Sequence, residues 1–220
     1  MSAKLFLAPI KPEFSSLSHA FQKKWKHETL QKQSHTALYF PEPNIYLAIG
    51  GLGKVEMALK TQFWLQQLPD CKMMACVGSA GSLDESLHVA DIIIASKTIE
   101  HDFKQVFFKK PLPEFKISDE WLQTLQLERF KNTLLKPIAS GDEDVLTLER
   151  RTELFNLTGA SAVAWEGAGA ARACAFLKIP FCEIRAITDN STTDLKQDFT
   201  KNLNHAMLNL ADLLIQVCSH

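Results

Sequence analysis

Two carboxylates stand beside segments whose composition is that of a protein core. Glu166 follows the apolar stretch ASAVAW and precedes a run of glycine and alanine, and Asp189 ends the strand-forming stretch FCEIRAIT. Each acid has an ordinary structural explanation, because a helix N-terminus favours a carboxylate and an aspartate after a strand commonly caps a turn. The small residues around Glu166 lack that explanation and indicate that another group packs closely there. Two acids at successive strand ends favour a shared site.

Small residues and acids dominate the other predicted strand ends. Ser79 stands in the glycine-rich stretch GSAGS, where backbone N–H groups and a hydroxyl can approach a ligand closely. A plain turn explains this stretch equally well. The stretch GGLGK is not a P-loop, because Ala48 and Val55 occupy positions that a P-loop fills with glycine and with serine or threonine. We therefore expect a tight strand-to-helix turn there.

Composition excludes several classes of protein. The chain has 220 residues, of which 46% are hydrophobic and 22% charged, as in ordinary globular domains. We expect one domain over residues 1–220. A net charge of −1 gives no field that would recruit nucleic acid or anionic lipid, and no stretch is apolar enough to span a membrane. The five cysteines form no CxxC pair, which predicts reduced thiols in a cytoplasmic protein.

The histidines show no pattern typical of a metal site or a nucleophilic enzyme. Seven are present, without an HExxH motif. His101 and Asp102 are adjacent and would suit a catalytic dyad, but no serine or cysteine stands in a nucleophile-elbow pattern. We expect this pair to anchor a loop.

The hydrophobic pattern alternates between strand and helix signals along the chain. Strands are predicted at 4–10, 36–40, 45–50, 72–78, 89–96, 133–140, 160–165 and 181–188, and helices at 13–32, 54–68, 118–130, 145–156, 166–177 and 194–217. Residues 97–117 lack a clear period and are predicted to form a long loop. The alternation predicts an α/β fold, a three-layer αβα sandwich around a central mixed, largely parallel sheet. In such sheets, ligands bind at the carboxyl ends of the strands.

Several motifs occur in order along the chain, namely LAIGGLGKVEMAL, VGSAGSL with LHVADIIIAS, HD, IASGDED, AWEGAGAARAC and PFCEIRAITDNS. Together they resemble the purine nucleoside phosphorylase/nucleosidase superfamily, and within it most closely the 5′-methylthioadenosine/S-adenosylhomocysteine nucleosidases. The resemblance spans approximately residues 4–215. No motif would be sufficient alone, and their shared order and spacing make the set specific. The resemblance implies hydrolysis of the N-glycosidic bond of a 5′-modified purine nucleoside, with water as co-substrate.

The resemblance also implies roles for individual residues. Asp189 would protonate the departing purine, and Glu13 would orient and deprotonate the attacking water. Glu166 would accept hydrogen bonds from the ribose hydroxyls. The implied substrate-binding residues are Ser79, Ala80, Gly81, Glu143, Asp144, Val145, Trp165, Glu166 and Arg185. These roles fit the chemistry, because carboxylates stabilise an oxocarbenium-like transition state and a buried acid with a raised pKa can protonate a leaving group at neutral pH.

Whether water or phosphate is the attacking group depends on whether the site has arginine or lysine side chains that can bind phosphate. Related phosphorylases carry a glycine-rich turn with an arginine after the first strand, and a second arginine three residues before the serine of GS. Here the first turn reads APIKPEF, and Cys76 takes the position of the second arginine. A phosphate clamp needs such bidentate cations, so a hydrolase is expected. Lys11 still offers one charge, which leaves a phosphate-dependent purine nucleoside phosphorylase as an alternative.

Departures from the family pattern concern the substrate. Asp144 stands where the family has a phenylalanine that stacks on adenine. An acid accepts hydrogen bonds instead, which suits guanine or hypoxanthine, whose N1 carries hydrogen. Trp165 replaces the family methionine and reshapes the ribose side. Basic residues of the predicted loop would meet the acidic tail of a futalosine-type nucleoside, although a solvated loop is favoured; they are Lys104, Lys109, Lys110 and Lys116.

Further expectations concern partners. A non-catalytic nucleoside-binding relative is an alternative, and the presence of Glu13, Glu166 and Asp189 argues against it. The resemblance implies a homodimer, and the apolar side chains of the predicted helix 54–68 would form either its interface or the core; they are Val55, Leu59, Phe63 and Trp64. We expect no metal, no cofactor, no nucleic acid and no membrane among the partners.

Overall fold

The structure is a computed structural model that describes residues 2–105, 107–130, 133–189 and 195–219. Within these ranges the chain forms ten β-strands and six α-helices. The strands are β1 (Ala3–Ala8), β2 (Glu28–Lys32), β3 (His35–Phe40), β4 (Ile45–Ile49), β5 (Cys71–Ser82), β6 (Ile92–Glu100), β7 (Glu114–Lys116), β8 (Thr133–Ser140), β9 (Ala162–Ala164) and β10 (Phe181–Asp189). The helices are α1 (Lys11–Lys24), α2 (Gly53–Gln67), α3 (Asp119–Leu125), α4 (Leu148–Thr158), α5 (Gly167–Leu177) and α6 (Leu195–Cys218). None of these helices is long and apolar enough to cross a bilayer.

All of these strands belong to one mixed sheet. The long strand β5 pairs in parallel with β1 and β10, and β1 pairs in parallel with β4. A second parallel group of β6, β8 and β9 joins the first through antiparallel pairings of β6 with β10 and of β9 with β5. The predicted α/β fold with a mixed sheet is confirmed. Among the described residues, five of the ten strand pairings are parallel.

Helices pack on both faces of the sheet. Successive side chains of a strand point to opposite faces, and those of β1 enter two different apolar clusters. Phe6 packs with side chains of α1 and α6, whereas Leu5 and Leu7 pack with those of α2 and α5. The side chains of β5 divide between the same two clusters. These central strands are therefore buried on both faces, and their burial fixes the positions of the residues at their ends.

The predicted helix over residues 13–32 is wrong in its second part. Helix α1 ends at Lys24, Trp25 adopts an extended backbone with φ −131° and ψ 148°, and residues 28–32 form strand β2. Trp25 and Leu30 fit a helical period, but they pack in the two different apolar clusters. Pairing with β3 supplies the backbone hydrogen bonds that a longer helix would have made, so tertiary pairing prevails over the local pattern.

The predicted loop over residues 97–117 is also wrong in part. Strand β6 continues to Glu100, with β8 on one side and the short β7 on the other. Polar side chains concealed this strand from a pattern based on hydrophobicity. Thr98 and Glu100 are nonetheless buried, because each binds a partner inside the protein.

The carboxyl ends of three parallel strands meet at one edge of the sheet. Strand β1 leads into α1, β5 extends to Ser82, and β10 ends at Asp189. In the pairing of β5 with β10, Asp189 lies beside Gly81. Strand β9 runs antiparallel to β5 and pairs Val163 with Gly81, so β9 lies beside the carboxyl-terminal part of β5. This edge brings together the segments that contain the candidate residues.

Candidate active site

A cavity of about 470 Å³ opens at this edge of the sheet. All eleven residues proposed from the sequence line it, namely Glu13, Ser79, Ala80, Gly81, Glu143, Asp144, Val145, Trp165, Glu166, Arg185 and Asp189. The volume lies in the range of small-molecule sites. The sequence therefore identified the residues of one cavity, while their individual roles remain predictions. The lining also includes residues that were not proposed as site residues, namely Pro9, Ile10, Leu52, Leu146, Val163, Ala164, Thr188 and Phe199.

Glu13 is buried at the beginning of α1, where its carboxylate is held by groups from two strands' ends. Its Oε1 accepts hydrogen bonds from the backbone N–H of Ser79 at 2.7 Å and from the Ser79 hydroxyl at 2.6 Å. Its Oε2 accepts one from the backbone N–H of Ile10 at 3.2 Å, which closes the first turn of the helix. The three donors fix the orientation of the carboxylate at the cavity wall. A fixed carboxylate of this kind can orient a water molecule and accept its proton.

Arg185 lies at the centre of the site and is fully buried. Its Nη2 donates to Glu166 Oε2 at 3.1 Å, and its Nη1 donates to the backbone oxygen of Ser79 at 3.2 Å. Its Nε donates to Glu183 Oε1 at 2.9 Å. The guanidinium thus joins both acids of the cavity wall, Glu166 directly and Glu13 through Ser79.

Glu166 precedes the first residue of α5 and is 4% exposed. The backbone N–H of Gly53 approaches its Oε1 at 3.5 Å. Burial raises the pKa of Glu166; Arg185 opposes this effect, and the nearby Glu13 adds to it. A carboxylate that is bound on one side and open to a cavity on the other can accept hydrogen bonds from hydroxyl groups of a ligand.

The small residues after Glu166 are explained by packing against the protein itself. A Cβ at residue 167 would overlap the carboxylate of Glu183, and one at residue 169 would overlap the backbone carbonyl of Lys54. Helix α5 therefore lies close against β10 and the start of α2. The sequence correctly indicated a close neighbour at this position, and the neighbour is a buried acid together with a helix backbone.

Asp189 ends β10 and is half-buried at the cavity wall. The hydroxyl of Thr188 lies 3.0 Å from Asp189 Oδ2 and 3.3 Å from the backbone oxygen of Ala80. The hydroxyl has one proton, so it donates to one of these oxygens at a time. The register of β10 against β5 shifts between Ile187 and Asp189. Asp189 follows this irregularity directly and lines the cavity.

The loop after β8 brings Glu143, Asp144 and Val145 to the cavity. Arg150 binds both oxygens of Glu143, with distances of 2.5 Å and 2.7 Å, and this pairing is the main cause that lowers the pKa of Glu143. Asp144 is exposed, and no described residue forms a hydrogen bond or an ion pair with it. Its acceptor oxygens therefore remain available to a ligand, whereas those of Glu143 are occupied.

Two anchors hold the same loop on its other side. The backbone N–H of Lys54 donates to Asp142 Oδ1 at 2.8 Å, and the backbone N–H of Asp142 donates to Asp102 Oδ2 at 3.0 Å. Asp102 also binds Lys54 Nζ. His101 is fully buried beside Gly141. Neither His101 nor Asp102 is among the described lining of the cavity. Asp102 makes the contacts expected of a loop anchor, whereas no described group forms a hydrogen bond with either ring nitrogen of His101.

Most of the ionisable side chains in the cavity wall are acidic. Five of the described lining residues carry carboxylates, and Arg185 is the one lysine or arginine among them. The lysines proposed to meet an acidic substrate tail, Lys104, Lys109, Lys110 and Lys116, do not belong to the described lining. The cavity therefore offers hydrogen-bond acceptors for ligand hydroxyl and N–H groups. It offers little attraction for an anion.

The apolar side chains proposed for the helix over residues 54–68 divide between the core and the surface. Trp64 is buried in the core and Phe63 is half-buried, whereas Val55 and Leu59 are 70% and 62% exposed. Leu52, which precedes α2 and lines the cavity, is also exposed. The exposed apolar face of α2 thus adjoins the cavity opening.

Comparisons with known proteins agree on one family. A family profile described as the phosphorylase superfamily matches residues 8–219. An aminodeoxyfutalosine nucleosidase from Helicobacter pylori is 31% identical over 175 residues, which are 75% of each chain. A 5′-methylthioadenosine/S-adenosylhomocysteine nucleosidase from Staphylococcus carnosus is 28% identical over 191 residues, 81% of this chain and 83% of that protein.

Solved structures share the fold over the whole chain. A 5′-methylthioadenosine/S-adenosylhomocysteine nucleosidase from Neisseria meningitidis, in complex with methylthio-immucillin-A, has a TM-score of 0.89 at 23% identity and covers 100% of this chain and 99% of its own. The futalosine hydrolase of Helicobacter pylori has a TM-score of 0.87 at 24% identity, with 99% and 97% covered. At these identities the likeness demonstrates a common fold.

Proposed function

The chain belongs to the phosphorylase superfamily, and on that premise we propose that it is a nucleosidase for 5′-modified purine nucleosides. Its substrate would be of the methylthioadenosine or S-adenosylhomocysteine kind, and the products would be the free base and the sugar. The names of the curated relatives support this reaction class. The observation that carries the proposal is the meeting of Glu13, Glu166 and Asp189 at one cavity.

In the proposed mechanism the three acids have separate duties. Asp189 donates a proton to the purine as the bond to the anomeric carbon breaks, and the base leaves as a neutral molecule. Glu166 accepts hydrogen bonds from the ribose hydroxyls and stabilises the positive charge that develops on the sugar ring. Glu13 accepts a proton from water, whose oxygen forms the new bond to the anomeric carbon. The hydrogen bonds from Ser79 hold Glu13 ready for this step.

Hydrolysis is favoured over phosphorolysis by the electrostatics of the wall. Phosphate binding requires cations that can face several phosphate oxygens. Arg185 is the one such group in the described lining, and its N–H groups already bind Glu166, Glu183 and Ser79. A phosphate dianion would also approach five carboxylates. Water is neutral, so it needs no free cation and is not repelled by the carboxylates.

A futalosine-type nucleoside is the second candidate substrate, because the relative from Helicobacter pylori at 31% identity carries the name of such an enzyme. The acidic lining disfavours a substrate with an acidic tail, since like charges repel. We therefore rank methylthioadenosine-like substrates first.

We also propose that the protein is cytoplasmic and consists of a single domain over residues 1–220. It would function as a homodimer. The family profile spans nearly the whole chain, and all five cysteines are free thiols, as in a reducing compartment. The exposed Leu52, Val55 and Leu59 supply an apolar surface for a second copy beside the cavity.

The test is the release of free base, followed by chromatography. Purified protein is incubated with methylthioadenosine, S-adenosylhomocysteine, inosine, guanosine and futalosine, each with and without phosphate. We expect base from methylthioadenosine in phosphate-free buffer. Release that requires phosphate would replace the hydrolase with a phosphorylase. Binding of a nucleoside without any release, measured by calorimetry, would identify a non-catalytic relative.

A further inference from the structure

Glu183 is a fully buried carboxylate that does not itself line the cavity. It stands two residues before Arg185 on β10, so both side chains extend from the same face of the strand. Its Oε1 accepts a hydrogen bond from Arg185 Nε at 2.9 Å. Its Oε2 accepts one from the hydroxyl of Thr98 on β6 at 2.5 Å. Both oxygens are thus occupied, and the acid is tied to two strands.

The contact with Nε determines where the rest of the guanidinium points. A guanidinium is planar, and its N–H groups have fixed directions relative to one another. With Nε held by Glu183, Nη2 faces Glu166 and Nη1 faces the backbone oxygen of Ser79. Ser79 in turn donates to Glu13 from its N–H and its hydroxyl. One connected network therefore leads from Glu183 to both acids of the cavity wall.

Stability alone does not account for this buried acid. The cluster contains three buried carboxylates, Glu13, Glu166 and Glu183, around one guanidinium. A well-packed apolar side chain is often equally or more stabilising than a buried ion pair. Room for the carboxylate also requires that residue 167 has no side chain, because a Cβ there would overlap it. Burying these carboxylates lowers the stability of the fold relative to apolar packing. What the arrangement achieves is a fixed orientation of the Arg185 side chain.

We propose that Glu183 is a positioning residue for hydrolysis, which sets the plane of the Arg185 guanidinium and thereby aligns Glu166 with the ribose and Glu13 with the attacking water. The proposal rests on the proposed nucleosidase function. Glu183 is not among the lining residues of the cavity and acts through Arg185.

Three variants test the proposal, and kcat and KM for base release are measured separately. Glu183→Leu removes the acceptor for Nε, and we expect kcat to fall about 100-fold while KM changes less than about threefold, because misaligned groups lose transition-state contacts. Glu183→Gln keeps an acceptor oxygen and should retain kcat within about fivefold. Glu100→Gln is the matched control, since Glu100 is also buried and paired with cations but lies outside the described lining.

The pH profile separates positioning from a general loss of stability. Glu183→Leu releases Arg185 from its place beside Glu166, where Arg185 opposes the raised pKa of Glu166, so that pKa should rise further and the acid limb of kcat/KM should move to higher pH. Glu100→Gln should leave that limb in place. A Glu183→Leu variant with wild-type kcat or with an unchanged acid limb would overturn the proposal.

Gly167→Ala gives an independent test that leaves Glu183 in the chain. The added Cβ would displace the carboxylate, so kcat should fall as it does in Glu183→Leu. In the double variant the second change should add little further loss, because both act on the same contact. Additive losses would overturn the proposal.

Failure of the proposed function would be recognised separately. If the wild-type protein releases no base from any nucleoside, the nucleosidase assignment fails, and the positioning claim is then decided by a crystal structure of Glu183→Leu. We expect Arg185 Nη2 to have left Glu166 in that structure. An unmoved guanidinium would overturn the inference.

Discussion

The hydroxyl of Ser79 and the carboxylate of Glu13 lie 2.6 Å apart, although 66 positions separate the two residues in the chain. The contact joins the end of β5 to the first turn of α1, directly after β1. Since β1 and β5 are neighbouring parallel strands, the sheet itself brings the two residues together. A buried carboxylate with three donors is thereby held at the wall of the cavity.

Glu13→Gln should abolish most of the activity without unfolding the protein. The amide keeps the shape of the side chain but cannot accept a proton from water, so kcat should fall at least about 100-fold. Ser79→Ala should cost less, about tenfold, because the backbone N–H of residue 79 still holds the carboxylate. Base release measures both effects, with the exposed Glu28→Gln as control. Full activity of Glu13→Gln would remove Glu13 from the mechanism.

Asp189→Asn should slow the release of purines far more than the release of a leaving group that needs no proton. The amide cannot protonate the base, so we expect kcat for purine nucleosides to fall about 1,000-fold. For p-nitrophenyl riboside, whose phenolate leaves as an anion, the loss should stay below about tenfold. Equal losses for the two substrates would show that Asp189 does not act as the acid.

Glu166→Gln should change how stability depends on pH. Burial raises the pKa of Glu166 above the ordinary value of 4.5, despite Arg185 and with an added contribution from Glu13. Between these two pKa values the folded protein holds a proton that the unfolded chain has released. The contribution of Glu166 to the free energy of unfolding therefore falls as the pH rises through this window.

The variant lacks this contribution, so its stability relative to the wild type should rise as the pH increases from the ordinary pKa of 4.5 through the raised pKa of Glu166. Urea denaturation at several pH values measures the difference between the two proteins. The exposed Glu128→Gln serves as control and should show a constant difference. A constant difference for Glu166→Gln as well would contradict the raised pKa.

Asp144→Ala should lower the activity on a nucleoside whose base carries hydrogen on N1 relative to the activity on an adenine nucleoside. Asp144 lines the cavity with free acceptor oxygens, and hypoxanthine offers an N1–H that adenine lacks. We expect the ratio of kcat/KM for inosine to that for adenosine to fall about tenfold, the usual effect of losing a hydrogen bond to a charged group. An unchanged ratio would place the base edge away from Asp144.

Much of the site could be grouped from the sequence because its residues directly follow strand-forming segments. The parallel arrangement of such strands then puts their ends at one edge, and Glu13, Ser79 and Asp189 meet there as expected. Glu183 could not be recognised in this way, since it stands inside a strand and looked like part of the core pattern. Its one visible signal is the spacing of two from Arg185, which places both on one face.

Fold errors have the same physical origin. The patterns of β2 and of the later part of β6 do not predict strands, because pairing makes them strands rather than local composition: β2 forms a hairpin with β3, and β6 pairs with the distant β8. Thr98 and Glu100 are polar in sequence but buried in the fold, where Glu183, Lys54 and Arg172 satisfy them. The hydrophobic pattern of a sequence does not indicate which polar side chains will find a hydrogen-bond or ion-pair partner inside the protein.

The anchoring of the loop after β8 has a consequence for how this protein can diversify. Asp142 and Glu143 are committed to holding the loop, through Lys54, Asp102 and Arg150. Asp144 and Leu146 are exposed and line the cavity, and neither side chain makes a described contact that anchors the loop. Mutations at these two positions can therefore explore new substrates while the scaffold stays intact, so selectivity and foldability can evolve independently here.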